Sequence, residues 1–93
     1  MNVKQTSYGY FLTNDTDLVP HSIGEGGFWD NHLKPIYDKY VRSSDNTIDV
    51  GAHWGFHSIY LSSISNKTYS FEPQKFVYYM LCGNIALNDR QNI

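Results

Sequence analysis

The chain has 93 residues, a mass of 10.7 kDa and a formal charge of −2, which allows one small domain or part of one. Its hydrophobic share of 41%, with two Trp, eight Tyr and five Phe, excludes a disordered tail. A pI near 6.0 and scattered Lys and Arg exclude a binder that neutralises nucleic-acid phosphates and leave no basic cluster for an anionic membrane.

The lone cysteine, Cys82, excludes a disulfide framework and any all-cysteine zinc site. The polar stretch Met1 to Tyr10 lacks the apolar run of a signal peptide, and no window approaches the roughly 18 apolar residues of a membrane helix. The sequence therefore reads as soluble and cytoplasmic, with no nucleic-acid or membrane partner.

In chain order, residues 1–27 are rich in turn formers. Tyr8 to Leu12 reads as a short strand, Asn14 to Asp17 as a turn, and Leu18-Val19 as a returning strand that Pro20 stops. Gly24-Glu25-Gly26-Gly27 marks an irregular loop. From Phe28 to Tyr40, the residues Trp29, Leu33, Ile36, Tyr37 and Tyr40 share one helical face. Their simplest role is packing, although they could also cover a sheet or join a homodimer contact. Pro35 inside the pattern delays the helix start. Ser43 to Asn46 is a polar break.

Thr47-Ile48-Asp49-Val50 is a β-prone run ending at Gly51. Gly51-Ala52-His53-Trp54-Gly55 reads as a turn, and Phe56, Ile59, Tyr60 and Ile64 come after it at helical spacing. Thr68 to Phe71 is a second strand closed by Glu72. Pro73 suits an early helical position, and Val77, Met80, Leu81, Asn84 and Ile85 form the next apolar stripe. Gly83 inside it costs about 0.5–1 kcal/mol relative to Ala. Strand, glycine turn, helix, strand, helix is the opening of a parallel α/β sheet. Ile93 would begin a third strand, so the expectation is the front of a larger domain, with residues 1–43 as lead-in and 44–93 as the start of the sheet.

A strand that ends beneath a helix amino terminus offers unpaired N–H groups and a favourable dipole to polar or anionic ligand groups. Gly51 and Gly55 would let a ligand approach the backbone. Glu72 lies twenty-one positions after Gly51, where an acid can accept from both hydroxyls of a ribose. A dinucleotide fingerprint requires a second glycine where His53 stands. Asp49 fits the amino-acid end of adenosylmethionine instead.

The run Asp49-Val50-Gly51-Ala52-His53-Trp54-Gly55-Phe56-His57-Ser58 resembles the first motif of FkbM-type S-adenosylmethionine-dependent methyltransferases. Phe71-Glu72-Pro73 is similar to that family's second motif. The stretch from Leu81 through Asn84-Ile85 to Asn92-Ile93 is similar to the segment that the family carries next, and Gly24-Glu25-Gly26 and Trp29-Asp30 fit the lead-in. The resemblance implies a Rossmann-like fold, with only its first two parallel strands and their helices in this chain. It implies S-adenosylmethionine as cofactor and methyl transfer, usually to oxygen, on a small-molecule or glycan acceptor. Asp49, Gly51, Ala52, His53 and Gly55 would serve the methionine end and Glu72 the ribose. His53 stands where the family more often has asparagine. No general base is assignable.

Other readings stay open. The glycines could serve only a tight turn, Glu72 only the helix dipole, and Asp49 only loop N–H groups. A nicotinamide-binding enzyme or a non-catalytic remnant packed on a partner chain shares most of these features. His53 and His57 are four apart, as zinc ligands on a helix would be, but no third ligand is evident and no metal site is expected. Cys82 beside the apolar stripe reads as a small core side chain, and mid-helix Asn84 as a partner for a buried backbone group.

Overall fold

The computed structural model describes residues 1–6, 8–13 and 30–93, apart from the side chain of Asn31. The expected turn at Asn14 to Asp17, the return strand Leu18-Val19, the loop Gly24 to Gly27, and Phe28 and Trp29 lie outside the described residues.

Strands β1 (Asn2–Thr6) and β2 (Gly9–Thr13) form an antiparallel hairpin, with Asn2 opposite Thr13 and Thr6 opposite Gly9. The strand expected near Tyr8 to Leu12 is therefore present, but its partner precedes it. Val3 and Gln5 alternate with Asn2, Lys4 and Thr6, a pattern too polar to announce a strand by itself. Pairing with β2 supplies the hydrogen bonds that the composition does not suggest.

A single 3₁₀ turn, Asn31–Leu33, leads into helix α1 (Lys34–Tyr40), where Pro35 occupies the first turn as its missing N–H permits. The helix buries no residue. Ile36 and Tyr40 are exposed, so these two members of the expected stripe do not pack, whereas Leu33 and Tyr37 are half-buried, Tyr37 with its ring edge-on to His57. Charge holds α1 in place. Lys34 Nζ pairs with Asp38 Oδ2 at 2.9 Å and lies over the Tyr60 ring, while the Tyr60 hydroxyl donates to Asp38 Oδ1. Those bonds, Tyr60 first and Lys34 second, hold the Asp38 carboxyl below the usual range.

Strands β3 (Asn46–Val50) and β4 (Lys67–Phe71) pair in parallel, with Asn46 opposite Lys67 and Val50 opposite Phe71. Between them runs α2 (Phe56–Ile64), and α3 (Lys75–Leu87) comes after β4. The molecule is thus a small mixed α/β structure whose described sheets are one antiparallel and one parallel pair. Pro73 lies ahead of the α3 cap residue Gln74, not inside the helix. There it directs the chain out of the strand, because its fixed φ and missing N–H suit the connection equally well.

The parallel pair is inverted relative to the usual division of faces. Ile48 and Val50 are 67% and 81% exposed, and Tyr69 and Phe71 also face outward. The face toward α2 is polar and satisfied by hydroxyls. Thr47 Oγ1 bonds Thr68 Oγ1 at 2.8 Å, Ser70 Oγ donates to Ser58 Oγ at 2.7 Å, and Ser58 Oγ donates to Asp49 Oδ2 at 2.6 Å. The buried apolar cluster lies on the other side of the helices. Phe11 of β2 meets Phe56 and Ile59 of α2, flanked by Tyr8, Ile85 and Ile93. The Phe11 and Phe56 rings sit 5.0 Å apart.

Helix α3 holds the hairpin by two asparagines one turn apart. Asn84, 0% exposed, accepts from Leu12 N–H at 2.6 Å and donates to Trp54 O at 2.8 Å. Asn88 accepts from Tyr10 N–H at 2.9 Å and donates to Tyr10 O at 2.6 Å. This agrees with the reading of Asn84 as a partner for buried backbone. Gly83 also acquires a reason, since a Cβ there would lie 2.8 Å from Leu12 Cδ1. Cys82, by contrast, is exposed rather than a core side chain.

Asn84 and Asp38 can each be tested by substitution. Asn84→Ala strands an N–H and a carbonyl in the interior and should cost about 2–4 kcal/mol in urea denaturation; a loss below about 1 kcal/mol would show that water replaces both bonds. Asp38 titrates lower when folded, so its stabilisation is present above about pH 4 and is lost as the pH falls through its folded value. Asp38→Asn should therefore flatten part of the acid limb of a melting-temperature profile, without changing its slope near neutrality.

Candidate functional site

The turn between β3 and α2 is built from backbone first. Gly51 and Ala52 both donate to Phe71 O at 2.9 Å, and Gly55 N–H donates to Ala52 O at 2.8 Å. Three of its residues adopt positive φ: Gly51 at 77°, His53 at 53° and Gly55 at 87°. That region costs an ordinary residue about 1–2 kcal/mol, and histidine and asparagine are among the side chains that enter it most readily.

The two glycines do different work. A Cβ on Gly55 would run into Leu81 Cδ1, so this glycine exists for close packing of the turn on α3. A Cβ on Gly51 would meet nothing within 4 Å, which leaves the backbone there open to a ligand.

Glu72, at the end of β4, reaches across to the turn. Its Oε2 accepts from His53 N–H at 2.8 Å and its Oε1 from Gln74 N–H at 3.0 Å. A carboxylate offers about four lone-pair sites, so two of them stay usable. Asp49 is engaged beneath the turn through Ser58.

A cavity of about 230 Å³ is lined by Asp30, Gly51, Ala52, His53, Trp54, Phe56 and His57. Of the residues singled out in the sequence, Gly51, Ala52 and His53 line it. Glu72 joins it through the His53 N–H, whereas Asp49 and Gly55 support it from outside. Asp30, Trp54 and His57 are additions. Asp30 entered the sequence argument only as part of the lead-in, and no spacing ties it to a turn more than twenty residues later. Only the tertiary fold does so.

His57 joins the two parts. Its Nε2 lies 3.2 Å from Asp30 Oδ2 and its Nδ1 3.3 Å from the Tyr37 hydroxyl. A carboxylate only accepts, so Nε2 carries the proton in the neutral ring and the Tyr37 hydroxyl donates to Nδ1. Burial, then the charges of Asp49 and Asp30, raise the Tyr37 pKa, which keeps that hydroxyl a donor.

A larger groove of about 430 Å³ runs between β4 and α3, lined by Tyr69, Phe71, Tyr78, Leu81, Cys82 and Ile85 among others. It is mostly apolar. Asn92 O accepts from Thr68 N–H at its end, at 2.8 Å, which places the last residues on the outer edge of β4. A bond to Cys82 raises the Tyr78 pKa, and among the described residues no carboxylate or imidazole lines the groove.

Among the described residues no group of three or more His, Cys, Asp or Glu could hold a metal ion, and no helix is long and apolar enough to cross a membrane. No protein-family model, curated protein or solved structure matches the chain.

The difference between the glycines is measurable. Gly51→Ala should cost about 1–2 kcal/mol, from backbone strain alone. Gly55→Ala carries the same strain plus the clash with Leu81, so its loss in chemical denaturation should be larger by about 1–3 kcal/mol. Equal losses would show that Leu81 yields without cost.

Proposed function

We propose that the Gly51–Gly55 turn and Glu72 bind S-adenosylmethionine, within a Rossmann-like fold, and that the chain serves FkbM-type methyl transfer to an oxygen of a small-molecule or glycan acceptor. One observation carries the reading. Glu72, at the carboxyl end of the second parallel strand, is hydrogen-bonded at 2.8 Å to the backbone of the glycine turn at the end of the first. The acid is therefore aimed at the turn and keeps acceptor capacity for two hydroxyls. A ribose between Glu72 and the open backbone at Gly51 would satisfy both, and the adjoining cavity is of a size for one end of a ligand, below the roughly 300–1,000 Å³ of whole small-molecule sites.

When bound, S-adenosylmethionine supplies an electrophilic methyl group on a sulfonium. The contribution of this chain is orientation. Gly51 permits close approach, the Glu72–His53 bond fixes the turn, and the hydroxyl network beneath Asp49 keeps the end of β3 rigid. Holding reactants in line accounts for much of the rate in such transfers. The motif resemblance of Asp49 to Ser58 and of Phe71 to Pro73 points to the same cofactor, and the histidine at the position of a dinucleotide motif's second glycine speaks against a nicotinamide.

Calorimetry with S-adenosylmethionine tests this reading. Glu72→Gln keeps an acceptor for the His53 N–H but loses the charge, and should weaken binding by about 1–3 kcal/mol. Unchanged affinity would remove Glu72 from the site. Binding of a nicotinamide dinucleotide in preference to S-adenosylmethionine would overturn the cofactor itself.

A further inference from the structure

The face of the parallel pair turned away from α2 is apolar and open. Strand alternation puts six positions on it: Asn46, Ile48 and Val50 of β3, and Lys67, Tyr69 and Phe71 of β4. Ile48 stands opposite Tyr69 and Val50 opposite Phe71. The groove between β4 and α3 continues the same surface through Tyr69, Phe71 and Tyr78. Ile48 and Val50 are mostly exposed, and Tyr69, Phe71 and Tyr78 are 43%, 56% and 46% exposed. Parallel strands are ordinarily covered on both faces, and among the described residues no element covers this one.

The exposed area is enough for a specific contact. Three half-exposed aromatic side chains at about 100 Å² each, with the two aliphatic ones, offer about 500 Å². That is about a tenth of the 5682 Å² surface of the chain, the share that an interface of ordinary size takes from a small protein. Two such faces in full contact remove about 1,000 Å² from water, the lower bound for a specific interface.

The pattern on the face selects the occupant. Lys67 is the only charged residue of the six, so a strongly charged partner has little to recognise here. The two rows differ in bulk, aliphatic on β3 and aromatic on β4. A two-fold axis along the strands lays β3 of each copy over β4 of the other, so that Ile48 and Val50 of one copy meet the aromatic row of its partner. Large side chains facing small ones interdigitate, as the inner faces of stacked sheets do. The same axis sets Lys67 over an asparagine, not over a second lysine, so no like charges meet. We infer that the chain forms a closed two-fold dimer through this sheet face, with Tyr78 at its margin. The inference does not rest on the cofactor reading, since none of the six positions lines the cavity beside the glycine turn. It puts the homodimer contact on the sheet rather than on α1.

Sedimentation equilibrium of the 93-residue chain tests this. At about 100 μM, well above a micromolar dissociation constant, the mass should be twice 10.7 kDa, with no larger species, because an isologous contact closes on itself. Val50→Lys sets a charge inside the contact and should raise the dissociation constant about tenfold or more. Val50 is exposed in the single copy, so the helix and strand content seen by circular dichroism should be kept. Val3→Lys, at an exposed apolar position on the hairpin, should leave the dissociation constant within about twofold. Ile48→Lys and Tyr69→Glu should each be monomeric alone and associate when mixed, because the axis sets these two positions against each other.

A wild-type monomer at this concentration overturns the inference and leaves the face to a different chain. An open series of larger species, or an equal loss in Val3→Lys, also overturns it, since either would show unspecific apolar association. A mixture of Ile48→Lys and Tyr69→Glu that stays monomeric overturns the two-fold arrangement.

Discussion

Asn84 is the side chain on which the arrangement depends most. It is a neutral amide with no exposure, set in a helix where a hydrophobic residue would be the usual occupant. Its acceptor meets Leu12 of the hairpin, and its donor meets Trp54 of the glycine turn. One residue therefore ties β2, α3 and the β3–α2 turn at a single point, and an apolar replacement would leave two backbone groups without partners in the interior. Asn88, one turn later, repeats the device on Tyr10. The two amides act toward β2 as a neighbouring strand would, so the hairpin edge is satisfied by side chains rather than by another ladder.

This anchoring explains why the buried apolar cluster sits between the hairpin and the helices. The parallel sheet turns Thr47, Asp49, Thr68 and Ser70 toward α2, and the Thr47–Thr68, Ser58–Asp49 and Ser70–Ser58 bonds join that interface. Apolar burial there is replaced by directed bonds, which specify register where bulk packing would tolerate slippage. The result at the site is rigidity. Asp49 and Ser58 fix the end of β3 just where the backbone must turn through three positive-φ residues.

Periodicity and punctuation made β3, α2, β4 and α3 legible to within a residue or two at most ends, because each has its own pattern and a sharp stop. The same signals say nothing about which face of a strand is inside. Ile48, Val50, Tyr69 and Phe71 alternate with Thr, Asp and Ser, and alternation is symmetric to inversion. The hairpin partner was illegible for another reason, since Asn2 to Thr6 gains its strand from pairing. In α1, helical spacing of aromatics coincided with exposure, because an ion pair and a tyrosine hydroxyl hold that helix without burying it. The site was half legible. Gly51, Ala52, His53 and Glu72 are bound to a local motif, but Asp30 lines the cavity beside His57, and a contact across 27 positions leaves no local pattern.

The turn stores strain, and the site is arranged around what offsets it. His53 cannot relax from φ 53° without breaking the Glu72 bond to its N–H, and charge-assisted bonds of this kind are worth about 1.5–3 kcal/mol. That equals or exceeds the roughly 1–2 kcal/mol of a left-handed residue. Stacking of the His53 ring on Trp54, with centroids 5.1 Å apart and planes 29° apart, adds a second restraint. The turn is thus set before any ligand arrives, by the same carboxylate that the ligand would use. A group so placed couples two tasks: it cannot be reoriented to suit a different ligand without releasing the backbone that shapes the cavity. The coupling is why Glu72, which is not among the residues lining the cavity, still helps decide what the space beside His53 can hold.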